Sequence, residues 1–463
     1  MSEKKTQVEL LKEKLCMNFE PAQVDVIKAA DDYCEDYKTF LDEQKTEREI
    51  VIFTKQIAEE KGFEEFDPYA DYKAGDRVYL VNRDKSVILC VFGTKPLTEG
   101  VRISAAHIDS PRIDLRPNPL YEDTDIAFFK TRYYGGIKKY QWTAIPLALH
   151  GVVVKADGSK VSVSIGDKKG EPQFVISDLL PHLAQEQMKR TLSEAINGED
   201  LNIIIGSRPF NNEKGSDLVK LNILNILNEK YGIVETDFLS AELEMVPAMD
   251  VADIGFDRSL IGGYGHDDRV CAYPALTATL DTVNPEYTCI CVLTDKEETG
   301  SDGNTGLCSQ YLEQFIADIA RIYGLAGRDV LRKSVCLSAD VNAAYDPTYA
   351  SAYEKSNSSF LNRGVVVTKY TGSRGKASTS DASAEYMGQI RKLFDENNVK
   401  WQIGELGRVD LGGGGTVAKY IANMNVDVVD VGVPVVSMHS PYEVVAKLDV
   451  YMAYKAFHTF FNK

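Results

Sequence analysis

The sequence predicts an α/β fold: a mixed sheet with helices on both faces, interrupted by an inserted, strand-rich α+β domain. Three observations predict it. From residue 248 onward, apolar strand-like runs alternate with helical stretches. Earlier, RVYLVN and SVILCVFG flank a turn at Arg83-Asp84-Lys85, a hairpin pattern, and VRISAAH follows. Between about Leu120 and Pro247 the character changes to strand-like runs with Gly/Asp turns, among them AFFKTRYY, IPLALHGVVVK, KVSVSIG and LNIIIGS. This places one discontinuous domain at 1–118 and 248–463 and an inserted one at 119–247.

The first part, residues 6–62, is rich in Glu, Lys, Ala and Leu. Apolar residues at helical spacing (Val8, Leu11, Leu15; Val26, Ala29, Tyr33) predict two or three amphipathic helices with a break at Pro21. In the insertion, a helical passage is expected near 177–195 and a helix at DLVKLNILNILNEKYG. The sequence then alternates. Helices are expected at DRVCAYPALTATLDTV, CSQYLEQFIADIARIYG, SAEYMGQIRKLFDENN and TVAKYIANMN, and strands at TCICVLT, SVCLSAD, GVVVTKYTG, KWQIGEL and VVDVGVPVV. A last helix is expected over EVVAKLDVYMAYKAFHTFF.

Composition excludes several classes. At 463 residues the chain exceeds one ordinary core, and 44% hydrophobic with 26% charged residues is a globular balance. A net charge of −17 excludes the basic stripe that a general nucleic-acid or anionic-membrane binder needs. Eight cysteines without Cys-x-x-Cys spacing, four of them (Cys90, Cys289, Cys291, Cys336) in apolar runs, read as core residues of a reduced, cytoplasmic protein. The charged amino-terminal stretch has no signal-peptide core, and no apolar run approaches the ~20 residues of a membrane span.

The chemistry gathers around Cys289–Ser301. A buried-strand pattern empties into Thr294-Asp295-Lys296, then Glu297 and Glu298, then Thr299-Gly300-Ser301. Chemistry in open α/β sheets collects beyond the carboxyl ends of strands. Two adjacent glutamates there repel unless a cation or proton separates their roles, one binding a metal and the other accepting a proton. Four further places put an acid or histidine at a strand end or helix start: His107 with Asp109, Asp267 with Asp268, Asp340, and His439. Two histidines with carboxylates and no thiolate suit Zn²⁺, Mn²⁺ or Co²⁺, and the number of carboxylates suits a pair of ions ~3.5–4 Å apart.

The order His-x-Asp-Ser-Pro, Asp-Asp, Glu-Glu-x-Gly-Ser, Ser-Ala-Asp and Met-His-Ser resembles that of the aspartyl aminopeptidase family of dinuclear zinc peptidases, over nearly the whole chain. The resemblance implies a zinc-peptidase catalytic domain interrupted by a dimerisation domain. It also implies a metal-dependent exopeptidase that acts on peptide substrates through a carboxylate-activated water shared by two divalent ions. His107 and Asp340 would hold one ion and Glu298 and His439 the other, with Asp267 bridging. Asp109 would orient His107, Asp268 or the peptide between the aspartates would orient Asp267, and Glu297 would be the general base.

For substrate, the resemblance implies His182 reaching a neighbouring subunit's site and a basic residue near Lys369 receiving an acidic side chain, with Arg374 and Lys376 as competitors. Gly414, within Gly412–Gly415, would let backbone approach the substrate closely. The implied assembly is a homo-oligomer, at least a dimer and in the family a tetrahedral dodecamer. Ile108, Arg269 and the Val-Asn-Ala-Ala-Tyr-Asp-Pro run after Asp340 depart from the commoner pattern without removing a ligand, so preference for acidic residues stays open. Two alternatives share these residues: a two-metal N-acyl amino acid deacylase, and a non-catalytic peptide-binding scaffold. His266, His150 and His458 read as structural.

Overall fold

The computed structural model describes residues 5–16, 21–211 and 214–463. Residues 1–4 and 17–20, in the expected amino-terminal segments, and Asn212-Glu213 lie outside them. Among the described residues the largest sheet has nine strands. Strand Cys289–Thr294 runs parallel to Arg102–His107 and antiparallel to Ser86–Val91, the second arm of the expected hairpin. Val335–Ser338 lies parallel to Arg102–His107 on its other side and to Asp427–Gly432 beyond. The sheet is therefore mixed. All six side chains of Cys289–Thr294 are buried, which explains an unbroken apolar run in place of alternation.

Side chains alternate across this sheet and build two cores. Leu89, Leu293, Leu337 and Val429 pack with helices Val24–Glu43, His266–Asp281, Ala384–Glu396 and Lys447–Asn462. Ile88, Val292, Cys336 and Val428 pack on the other face with Tyr311–Ile322, Gly327–Leu331 and Ala418–Ala422. Because Arg102–His107, Cys289–Thr294 and Val335–Ser338 are parallel, they finish at one edge and deliver His107, Glu297-Glu298 and Asp340 to the same place.

Residues 112–247 contribute a separate, wholly antiparallel seven-stranded sheet. Its core holds Phe129, Trp142, Leu243 and Phe238. Its first strand begins at Arg112, ahead of the boundary expected at 119, and Ala241–Pro247 ends it.

Three expectations need correction. The passage 177–195 is irregular apart from a turn at Gln187–Lys189. Leu179, Leu180, Leu183, Met188 and Leu192 are exposed there, so an apolar helix face would have nothing in this chain to pack on. The last helix starts at Lys447; Glu443–Ala446 is a strand paired with Leu260–Gly263 and Pro434–Val436, as β-branched Val444-Val445 favour. The helix after the glycine run is only Ala418–Ala422. All eight cysteines are unpaired, and no described helix is long and apolar enough to cross a membrane.

Candidate metal centre and substrate cavity

The two histidines are set by what their Nδ1 atoms meet. His107 Nδ1 lies 3.0 Å from the Asp109 carbonyl oxygen, and His439 Nδ1 lies 2.9 Å from that of Gly136. A carbonyl only accepts, so each Nδ1 carries the hydrogen and each Nε2 offers its lone pair to the centre. Asp267 stands between them: Oδ1 is 3.2 Å from His107 Nε2 and Oδ2 is 3.1 Å from His439 Nε2. Asp340 Oδ1 is 3.8 Å from His107 Nε2, and Glu298 Oε2 is 3.6 Å from His439 Nε2.

These separations suit ligand atoms around an ion with bonds of ~2.0–2.2 Å, and nitrogen and carboxylate donors without sulfur suit zinc. Buried Asp267 Oδ1 and Glu298 Oε1 have no hydrogen-bond partner within the protein. The same holds for both oxygens of Asp268, whose carboxylate also lies within ligand reach of His107 and Asp340. Burial, with repulsion from Asp340, pushes the Glu297 carboxyl up to about 8, and burial with repulsion from Asp267 raises Glu298. The protein alone therefore leaves this centre short of positive charge, as a cation site requires. The residues fit a divalent metal such as zinc.

Backbone ties hold the carboxylates in place. The Asp109 carboxylate accepts the backbone N–H groups of Glu297 (3.1 Å) and Glu298 (3.2 Å) and the Tyr134 hydroxyl (2.8 Å), and sits 3.4 Å from His107 Nδ1. It thus orients the glutamate pair as much as the histidine. Glu297 and Glu298 begin a turn after the strand, preceded by Lys296 in the left-handed region, so they need not point to opposite sheet faces. Buried Glu443 was hidden in the expected last helix. It accepts from the N–H of Asp267 (3.0 Å) and of His439 (2.7 Å), fixing the central carboxylate and a histidine together. The peptide between Asp267 and Asp268 is cis, and Ser110 Oγ donates to the Asp267 carbonyl.

The Gly135-Gly136 turn of the antiparallel sheet also reaches the centre. A Cβ at Gly135 would meet Glu298 Oε2 at 3.2 Å, and one at Gly136 would meet His439 Nδ1 at 3.3 Å. No sequence pattern ties this turn to the other motifs; only the fold brings it here. His266 is buried with its ring against the Tyr37 hydroxyl, 2.7 Å away, and lies outside the ligand clusters.

Next to the ligands opens a cavity of about 870 Å³, lined by Glu297, Glu298, Asp340 and His439 at one end. Gly412–Gly415, Gly414 among them, line it as well. The Gly413–Gly414 strand pairs with Gly372–Ser373, and a Cβ at Gly412 would fall 1.9 Å from the Leu406 carbonyl oxygen. The glycines serve close backbone packing. Arg374, Lys376 and Arg408 line the cavity, and buried Asp430 does too, accepting from Thr416 Oγ1 at 2.7 Å. Lys369 does not: its ammonium is held by Asp381 at 2.6 Å and the Ala382 carbonyl at 2.7 Å, and Lys376, which does line the cavity, is held by the same Asp381 at 2.7 Å. His182 is exposed on the irregular 177–195 passage and lines no part of the cavity.

Known proteins resemble this chain over most of its length. A family model described as aminopeptidase I zinc metalloprotease (M18) matches residues 40–461. A Clostridium acetobutylicum protein named as a probable M18 family aminopeptidase 1 is 48% identical over 434 residues, 92% of this chain and 93% of that one. The crystal structure of an M18 family aminopeptidase from Thermotoga maritima matches with a TM-score of 0.92 at 43% identity, covering 96% of this chain and 100% of that one. The S. cerevesiae mApe1 dodecamer structure, 20% identical, shares the fold with a TM-score of 0.75 over 93% of this chain and 96% of that one.

Proposed function

The chain belongs to the M18 family of aminopeptidase I zinc metalloproteases, and on that premise we propose that it removes amino-terminal residues from peptides at a centre built for two divalent ions. The observation that carries this reading is Asp267, whose two carboxylate oxygens each face the free Nε2 of a different histidine. His107, Asp340 and Asp267 would hold one ion, and His439, Glu298 and Asp267 the other. Zinc, with Co²⁺ or Mn²⁺ as alternatives, would supply polarisation of the first peptide carbonyl and acidification of the attacking water.

The protein's own residues do the rest. Glu297 lines the cavity beside the ligands and pairs with neither histidine, so it is free to take the water's proton and return it to the leaving amine. Asp109 holds its backbone while that happens. The carboxylates around the centre favour a charged, free α-amine over an internal peptide nitrogen, which makes the action exopeptidase-like.

Side-chain preference is read from the cavity. Arg374 and Arg408, beside Lys376 in its pair with Asp381, support an acidic amino-terminal residue. Buried Asp430, which lines the same cavity, favours a second reading, a basic or hydrogen-bonding residue. Residues 119–247 are proposed as the dimerisation domain, whose exposed Leu179, Leu180, Leu183 and Met188 would meet a second copy and carry His182 to its site. A homo-oligomer, at least a dimer and up to a dodecamer, follows from that reading. A cytoplasmic setting accords with eight unpaired cysteines.

A panel of amino acid anilides and short peptides, each free and N-acetylated, tests the reading with chelated and zinc-reloaded protein. Release from free amines alone, dependent on metal, supports it, and the best side chain decides between acidic and basic preference. Turnover of acetylated substrates alone would instead identify a deacylase.

A further inference from the structure

A second cleft, of about 700 Å³, meets the metal centre from the side of the antiparallel sheet. Glu298 lines both spaces, while Gly136 faces the large cavity and Gly135 the cleft. Glu297 lines only the large cavity. A peptide cleaved beside Glu298 needs one space for its amino-terminal residue and another for the rest. The large cavity holds the proposed base and the glycine wall, which leaves the cleft for the departing chain.

The charges in the cleft favour a particular end on that chain. Of its cations, Arg116 is engaged by Glu199 at 2.6 Å and by the Thr131 carbonyl at 3.0 Å. Arg132 is exposed and, among the described residues, has no hydrogen-bond or ion-pair partner. Asp114, opposite Arg132 in the strand pairing, is held by Arg112 at 2.9 Å. Arg132 shares a strand face with Tyr134, two residues on, whose hydroxyl reaches Asp109 beside the centre. Two strand residues span ~7 Å, the length of about two extended peptide units.

We infer that this cleft receives the leaving peptide and that Arg132 pairs with its terminal carboxylate, making the protein selective for short peptides with a free carboxyl end. The inference rests on the aminopeptidase reading. A guanidinium–carboxylate pair of this kind gives about a 10- to 100-fold preference.

The test compares a tripeptide with its carboxyl-terminal amide, and with a series lengthened to six residues, on the zinc-loaded protein. The expected result is kcat/KM at least about tenfold higher for the acid than for the amide, falling with length. In Arg132→Gln the acid-to-amide ratio should collapse toward one, and Arg132→Lys should keep part of it, with melting temperature and metal content compared for each variant. Equal rates for acid and amide in the wild type, or a ratio unchanged in Arg132→Gln, overturn the inference while leaving the aminopeptidase reading intact. If neither tripeptide form is cleaved by metal-loaded protein, the aminopeptidase reading fails and this inference with it.

Discussion

At the residue scale, the centre depends on carboxylates with different tasks. Glu297→Gln keeps the shape and removes the proton acceptor, so kcat should fall about 10²- to 10⁴-fold while metal content, measured by elemental analysis, stays at the wild-type level. Glu443→Ala acts on a different quantity. It frees the backbones of Asp267 and His439, and zinc affinity should fall about 10- to 100-fold in a chelator competition. Seven residues of the centre were legible because each is a strand-end or helix-start acid or histidine in a recognisable order: His107, Asp109, Asp267, Glu297, Glu298, Asp340 and His439. Glu443 was not, because a local Glu-Val-Val-Ala pattern does not reveal that its carboxylate faces the backbone amide of Asp267, 176 residues away. Lys369 shows a related limit: its place on the chain is plain, whereas Asp381 decides where its ammonium goes.

At the element scale, strands Cys289–Thr294 and Val335–Ser338 could be read from apolar segments alternating with helices, whereas their parallel pairing with Arg102–His107 comes from the fold. The irregular 177–195 passage could not, since leucines at helical spacing look alike whether or not a partner surface exists to bury them. The glycine run was legible as a place of close approach, and the structure gives it a partner in Gly372–Ser373. Gly412→Ala should drive a methyl into the Leu406 carbonyl oxygen. We expect a loss of about 1–3 kcal/mol in urea unfolding, together with a raised KM as the cavity wall shifts.

At the scale of the whole molecule, His150, a strand residue of the second sheet, ties that sheet to an amino-terminal helix. Its Nδ1 lies 2.7 Å from Glu49 on helix Glu47–Glu60 and its Nε2 2.5 Å from Asp167. These two carboxylates outweigh burial and raise the imidazolium to about 9. The folded state thus holds the proton more tightly than an unfolded histidine near ~6.5. Its stabilisation is full below that value and is lost as pH rises through about 9. Urea unfolding at pH 6 and at pH 9.5 should show an extra loss on the order of 2 kcal/mol in the wild type that is missing in His150→Gln.

Asp267 is proposed to be shared by two ions, and metal stoichiometry decides whether it is. Protein stripped with chelator, reloaded with zinc, freed of excess and analysed per chain should carry two ions, with anomalous scattering placing them ~3.5–4 Å apart on either side of Asp267. Asp267→Asn should lower the count in parallel with activity. A single ion per chain at full activity would contradict the account.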